Sequence, residues 1–125
     1  MVTLTGRPST KGVGHMGQRM RDHAPVFQWA TGETLHPGTF NVEVSLPVLA
    51  IKHFAIAGAQ IGEPEQDLWF EVCRVNGIWA YRIRPVNVID GTGGHGDKII
   101  EIACSTQLGN HPLIAGHPIV IELFR

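Results

Sequence analysis

Thr39 and Asn41 set a hydroxyl and a carboxamide two residues apart in the run Pro37-Gly38-Thr39-Phe40-Asn41-Val42. In an extended strand, residues two apart leave on the same side. Paired neutral oxygens at the mouth of a Pro-Gly turn suit a hard cation such as Mg²⁺ that already carries phosphates and water. The same two residues also fit a solvated strand face with no ligand at all. A second stretch with chemical potential lies upstream. Gly12, Gly14 and Gly17 spell G-x-G-x-x-G, with Lys11 beside them. A dinucleotide fold would need a βαβ unit and an acidic residue about 20 positions further on. Asp22 stands too close and Glu33 falls in a turn. No G-K-[ST] phosphate loop is present either. What remains is a glycine-rich loop whose N–H groups could wrap phosphates on any fold, or a plain hairpin loop. Glu101 is the third group of interest, flanked by Ile99, Ile100 and Ile102. Turned inward, its carboxyl would be pushed toward neutrality and suited to accept a proton or hold a hydroxyl. Turned outward, it would simply meet water.

Other chemistries find no support. The seven histidines show no H-x-H or H-x-x-x-H pair, and no cysteine cluster joins them, against a structural zinc site. No G-x-S-x-G nucleophile turn occurs. Cys73 and Cys104 sit in or beside apolar runs and are expected as buried free thiols of a reducing, cytoplasmic setting. The net charge of −1 gives no basic field for nucleic acid. No apolar run is long enough to span a bilayer, and the first residues show no secretory pattern.

The elements that must position these groups read mostly as strands. Phe40, Val42, Val44 and Leu46 alternate with Thr39, Asn41, Glu43 and Ser45, the period of a half-buried strand stopped by Pro47. Asn76-Gly77 separates two apolar runs, residues 68–75 and 78–84. This is the strongest short hairpin signal, because both turn residues accept φ > 0. Trp79, Tyr81 and Ile83 share one face of the second run, and Arg82 and Arg84 the other. Pro85 is expected to interrupt before a further strand at 86–89. Residues 2–6, 98–103 and 119–123 read as strands, with Ile100 and Ile102 on one face and Ile99 and Glu101 on the other. Residues 18–29 hold a short helix broken by Pro25. Residues 48–59 are apolar and fit a strand, a buried turn or a helix. Residues 90–97 form a glycine-rich loop.

With 125 residues, 43% hydrophobic and 17% charged, the chain suits one globular domain, residues 1–125, with a modest core. Fifteen glycines and eight prolines imply many turns. Six or seven strands with one or two short helices favour a small closed β-barrel, which leaves few exposed edges.

The order of these pieces resembles the CTP-dependent riboflavin kinases best known from archaea. An early glycine loop is followed by Pro-Gly-Thr-Phe-Asn, an Asn-Gly hairpin, an Ile-Ile-Glu-Ile-Ala strand and a closing strand. The resemblance covers nearly the whole chain, and residues 37–42 are its most specific part. It implies a cradle-loop barrel that uses Mg²⁺ and CTP to phosphorylate riboflavin. By this likeness Thr39 and Asn41 match the Mg²⁺ ligands. Gly12, Val13, Gly14, His15, Met16 and Gly17 match the loop that holds the cytidine nucleotide, with one extra residue. Glu101 matches a flavin-contacting glutamate, and Thr92 or Gly93 falls near a flavin-contacting threonine. Thr106, Gln107, Leu108 and Gly109 fall on a second nucleotide segment. Two departures stand out. Gly109 occupies the place of the family's arginine, and His15-Met16 replaces the glutamate inside its early Gly-Glu-Gly. A non-catalytic nucleotide- or flavin-binding module, or a kinase for another small molecule, would share the same layout. A DNA-binding swapped-strand barrel would need more positive charge.

Overall fold

The Asn-Gly turn anchors the architecture. In a computed structural model of the protein, which describes residues 1–10, 14–89 and 98–125, Asn76 and Gly77 take φ of 49° and 83°. They join β4 (Gln66–Val75) to β5 (Ile78–Asn87), paired from Val75↔Ile78 to Gln66↔Asn87. Asn76 does more than turn. Its Nδ2 donates to Leu113 O at 2.8 Å and Pro118 O at 3.0 Å, and its Oδ1 accepts from Val120 N at 2.7 Å. One side chain thus ties the hairpin to the segment that leads into the last strand.

The remaining strands are β1 (Val2–Pro8), β2 (Phe40–Val44), β3 (Phe54–Ile56), β6 (Ile99–Ala103) and β7 (Ile119–Leu123). Pairing runs β4-β5-β6-β2-β1-β7, and β7 returns to β4. Six antiparallel strands therefore close a barrel, as the strand count led one to expect. β3 is the extra strand. It pairs with residues 68–70 of β4, while β7 pairs with residues 73–75.

β1 runs on to Pro8 and β4 starts two residues early at Gln66, and three further boundaries differ from the sequence reading. β5 runs through Pro85 instead of stopping there. Counting from the two-residue turn, Pro85↔Leu68 is a pair whose N–H groups point away from each other. Pro85 also lies beyond Ile83↔Glu101, the last β5–β6 pair among the described residues, so it deprives neither neighbour of a ladder bond. β2 ends at Val44, and Leu46 lies exposed in the following segment. The helical stretch is two helices, α1 (Met16–Asp22) and α2 (Ala24–Thr31). They break at His23 because Pro25 fits only the first turn of a new helix. Gly32, at φ 76°, ends α2.

Both faces of the β4–β5 hairpin are covered. Cys73, Val75 and Ala80 join Val42, Ile100, Ile102, Ile119, Ile121 and Leu123 inside the barrel. Leu68, Phe70 and Ile83 face outward and are covered by Met16 and Met20 of α1 and Phe27 of α2. Met16 and Met20 are four apart, so they share one helix face. Each fully buried aliphatic side chain contributes about 1.5–3 kcal/mol.

The interior also holds charge. Glu71 and Arg82 are each 1% exposed and stand opposite each other on β4 and β5. Glu71 receives Arg125 Nε at 2.8 Å and Nη2 at 3.0 Å, and the Ile51 N–H at 3.2 Å. Arg82 lies 3.8 Å from Glu71 and donates to the Val48 and Leu49 carbonyls at 2.7 and 3.2 Å. The apolar 48–51 segment is thus neither strand nor helix. It covers this ionic cluster. Beside it, burial, and secondarily the charge of Glu71, push the Cys73 thiol up from 9.0 to about 12. Cys73 and Cys104 are both buried and free.

Candidate functional site

A cavity of about 200 Å³ opens where the chain enters β2. Residues 36–40 line one side. Ile102, Cys104 and residues 106–109 line the other. The two walls are tied by His36 N–H donating to Cys104 O at 2.8 Å. The short 3₁₀ turn Leu108–Asn110 buries Leu108 and leaves Thr106, Gln107 and Gly109 exposed at the rim. The Thr39 segment and the 106–109 segment are far apart in sequence, and the fold brings them to one cavity.

Thr39 and Asn41 do leave β2 on one side. Thr39 Oγ1 donates to Asn41 Oδ1 at 2.9 Å. Asn41 is not on a solvated face, being 6% exposed. The β2–β6 register sets Asn41 directly opposite Glu101, and β5 sets Ile83 on the far side of Glu101. Directly opposed residues of an antiparallel pair share a face. Thr39, Asn41 and Glu101 therefore lie on one side of the sheet. That side is the outer one, because Val42, Ile100 and Ile102 point into the barrel. Glu101 is half-buried there.

Helix α1 meets the same turn from the other direction. Gly17 packs on Gly38. A Cβ on Gly17 would stand 3.4 Å from Gly38 Cα, so the helix and the turn lie within van der Waals reach of each other. Gly38 itself has φ of 99°, a conformation that favours glycine, and its N–H points to Met20 Sδ at 3.4 Å. Helix α1 is thereby seated against the Pro37-Gly38 turn that leads to Thr39. Of the residues expected to form the loop, Gly14 and His15 precede α1. Met16 and Gly17 already belong to it, with Met16 turned into the core. Lys11, Gly12, Val13, Thr92 and Gly93 lie outside the described residues.

Gly109 sits at the rim near Phe40. A Cβ there would come no closer than 4.0 Å to the Phe40 ring, and its φ is not in the left-handed region. A larger side chain could be carried without a clash at Cβ. Residues that the sequence reading passed over include His36 and Cys104, which line the cavity. Nothing in their local pattern marks them. They arrive through the pairing of β2 with β6. Among the described residues, no three His, Cys, Asp or Glu side chains come together to hold a metal. No helix among them is long and apolar enough to cross a membrane. In comparisons with known proteins, no family model and no curated sequence matches the chain.

Proposed function

We propose that the protein is a nucleotide-dependent small-molecule kinase of the riboflavin kinase type, moving the γ-phosphoryl of CTP to the 5′-hydroxyl of riboflavin to give FMN and CDP. The observation that carries this reading is the meeting of the Thr39 and 106–109 segments at one cavity, with the start of α1 seated against the same turn. Phosphoryl transfer asks the protein mainly for positioning and charge neutralisation, and the groups present suit that task.

Thr39 and Asn41 are the residues that would hold Mg²⁺. The fit can be judged from their spacing. The two oxygens already stand side by side at 2.9 Å with the Thr39 hydroxyl donating to Asn41 Oδ1, and that hydroxyl would turn its hydrogen away for both oxygens to face one ion. When bound, the ion supplies positive charge against the triphosphate oxygens. The backbone at Gly14 and His15 offers N–H donors to the phosphates. Residues 106–109 bound the other side of the nucleotide. Glu101, on the same face as Asn41, orients the attacking hydroxyl and takes its proton as the bond from oxygen to the γ-phosphorus forms and the β–γ bridge breaks.

The test is turnover with riboflavin and Mg²⁺, giving each of the four nucleoside triphosphates separately and reading FMN by chromatography. FMN formed chiefly with CTP supports the reading. Folded protein that makes no FMN with any triphosphate overturns it. A second reading rests on Gly109. The family's arginine is missing there, which favours a module that binds nucleotide or flavin without turnover. Saturable CTP binding without product would decide for it.

A further inference from the structure

On the outer face of β5, Trp79 and Tyr81 stand two residues apart and project to one side. With Val72, Ala80 and Glu33 they line a second cavity of about 200 Å³, which shares no residue with the one at 36–40. Glu33 lies just beyond the Gly32 stop of α2 and is half-buried. Its hydrogen bonds run through its backbone to Thr31. Among the described residues no salt bridge or hydrogen bond engages its carboxylate. That carboxylate stands near enough to Tyr81 for its charge, after burial, to raise the phenol's pKa. Trp79 is 59% exposed. Phe124 stacks on Trp79 with ring centres 5.2 Å apart and the Arg74 guanidinium sits 5.2 Å from the Trp79 ring centre, so this ring system accepts a cation and offers the cavity the side that Phe124 leaves open. Arg74 is paired with Glu122 at 3.1 Å, so its own charge is balanced.

We propose that the Glu33–Trp79–Tyr81 cavity binds a small organic ammonium compound, with its cationic head between the two rings and the carboxylate. Aromatic faces attract cations through their quadrupole, most strongly where water is displaced. A half-buried carboxylate without an ion partner adds a full opposite charge. A hard metal ion is a poor occupant, because Val72, Ala80 and the ring faces give it no oxygen in exchange for its water. An alkylated ammonium is weakly hydrated and gains apolar contact from the same walls. The cavity is smaller than the roughly 300–1,000 Å³ of drug-sized sites, which suits a head group rather than an extended ligand.

Choline and its neutral isostere 3,3-dimethylbutanol provide the test. Each is titrated into the intact protein while the three indole N–H resonances are followed by NMR, with Trp79 assigned from Trp79→Phe. The expected result is a saturable shift of Trp79 with choline at millimolar concentration, about −4 kcal/mol. Trp29 and Trp69 stay unmoved, and the neutral isostere produces no saturable shift. Glu33→Gln should weaken choline binding at least about tenfold, or 1.4 kcal/mol, while the other indole resonances show an unchanged fold. Trp79→Ala should remove the binding, followed by calorimetry. Equal binding of the isostere, an unchanged affinity in Glu33→Gln, or no saturable response to choline would each overturn the proposal. Riboflavin kinase activity plays no part in the readout.

Discussion

Among the described residues the barrel buries polar side chains in two places, and they are treated differently. Around Glu71 the polarity is charged and is answered wholly from within the protein. Two arginines, the Ile51 N–H and the Val48 and Leu49 carbonyls surround one another. At Thr39 and Asn41 the polarity is neutral, and Thr39 lines an open cavity. β2 connects the two. The chain passes the cavity at 36–40, enters β2, and leaves into the 48–51 segment that covers the charges. A closed ionic cluster costs much desolvation and resists change, so it serves the fold. A neutral oxygen pair, hydrogen-bonded to each other, costs far less to keep beside a cavity. Buried polarity alone therefore does not mark a functional site; what distinguishes the Thr39 end is that it borders an open cavity.

The comparison breaks most sharply at Glu71. Glu71→Ala strands the buried Arg82 without its carboxylate, frees the more exposed Arg125, and should cost about 3–5 kcal/mol in denaturant unfolding. A loss below about 1 kcal/mol would show that the cluster is solvated and structurally idle. Asn41→Ala makes the opposite demand. It should cost less, about 1–3 kcal/mol in stability, as the neutral hydrogen bonding of a buried side chain is lost. FMN formation, measured on protein shown to be folded, should fall at least about 100-fold, or 2.7 kcal/mol. Unchanged turnover would remove the metal role from this pair.

Gly109→Arg sharpens the site side of the comparison. The position tolerates a Cβ, and a guanidinium at the cavity rim should tighten triphosphate binding by about tenfold, or 1.4 kcal/mol, read by calorimetry. No gain would mean that the triphosphate does not pass this rim. The smallest effect is a pH dependence on the structural side. The Cys73 thiol is raised in the fold from 9.0 to about 12. The folded protein holds that proton where the unfolded chain releases it. The resulting stability is intact below pH 9 and is lost as pH rises through about 12. Cys73→Ala should flatten the decline in unfolding free energy over that range. An equally steep decline would assign it to other groups, Tyr81 among them, whose phenol is also raised by burial.

Local signals in the sequence determined a good part of this protein. The alternation around Val42, the Asn76-Gly77 turn, the Ile100/Ile102 face and the turn density lead to a small barrel of antiparallel strands. A period of two and positive-φ turn residues need no distant partner to be read. The same period placed Thr39 and Asn41 on one side of a strand. Tertiary structure decided the rest. β3, hidden in the apolar stretch 48–59, is only three residues long and too short to show alternation, and β5 crosses Pro85 because of where its hydrogen bonds point. The residues of β4 sit between the barrel interior and the helices, so a buried Glu71 lies in a strand whose two faces are both covered. Strand register set Glu101 across from Asn41 and carried residues 104–109 to the turn at 36–40. Register is fixed by contacts between segments far apart in the chain, and no window of neighbouring residues contains them.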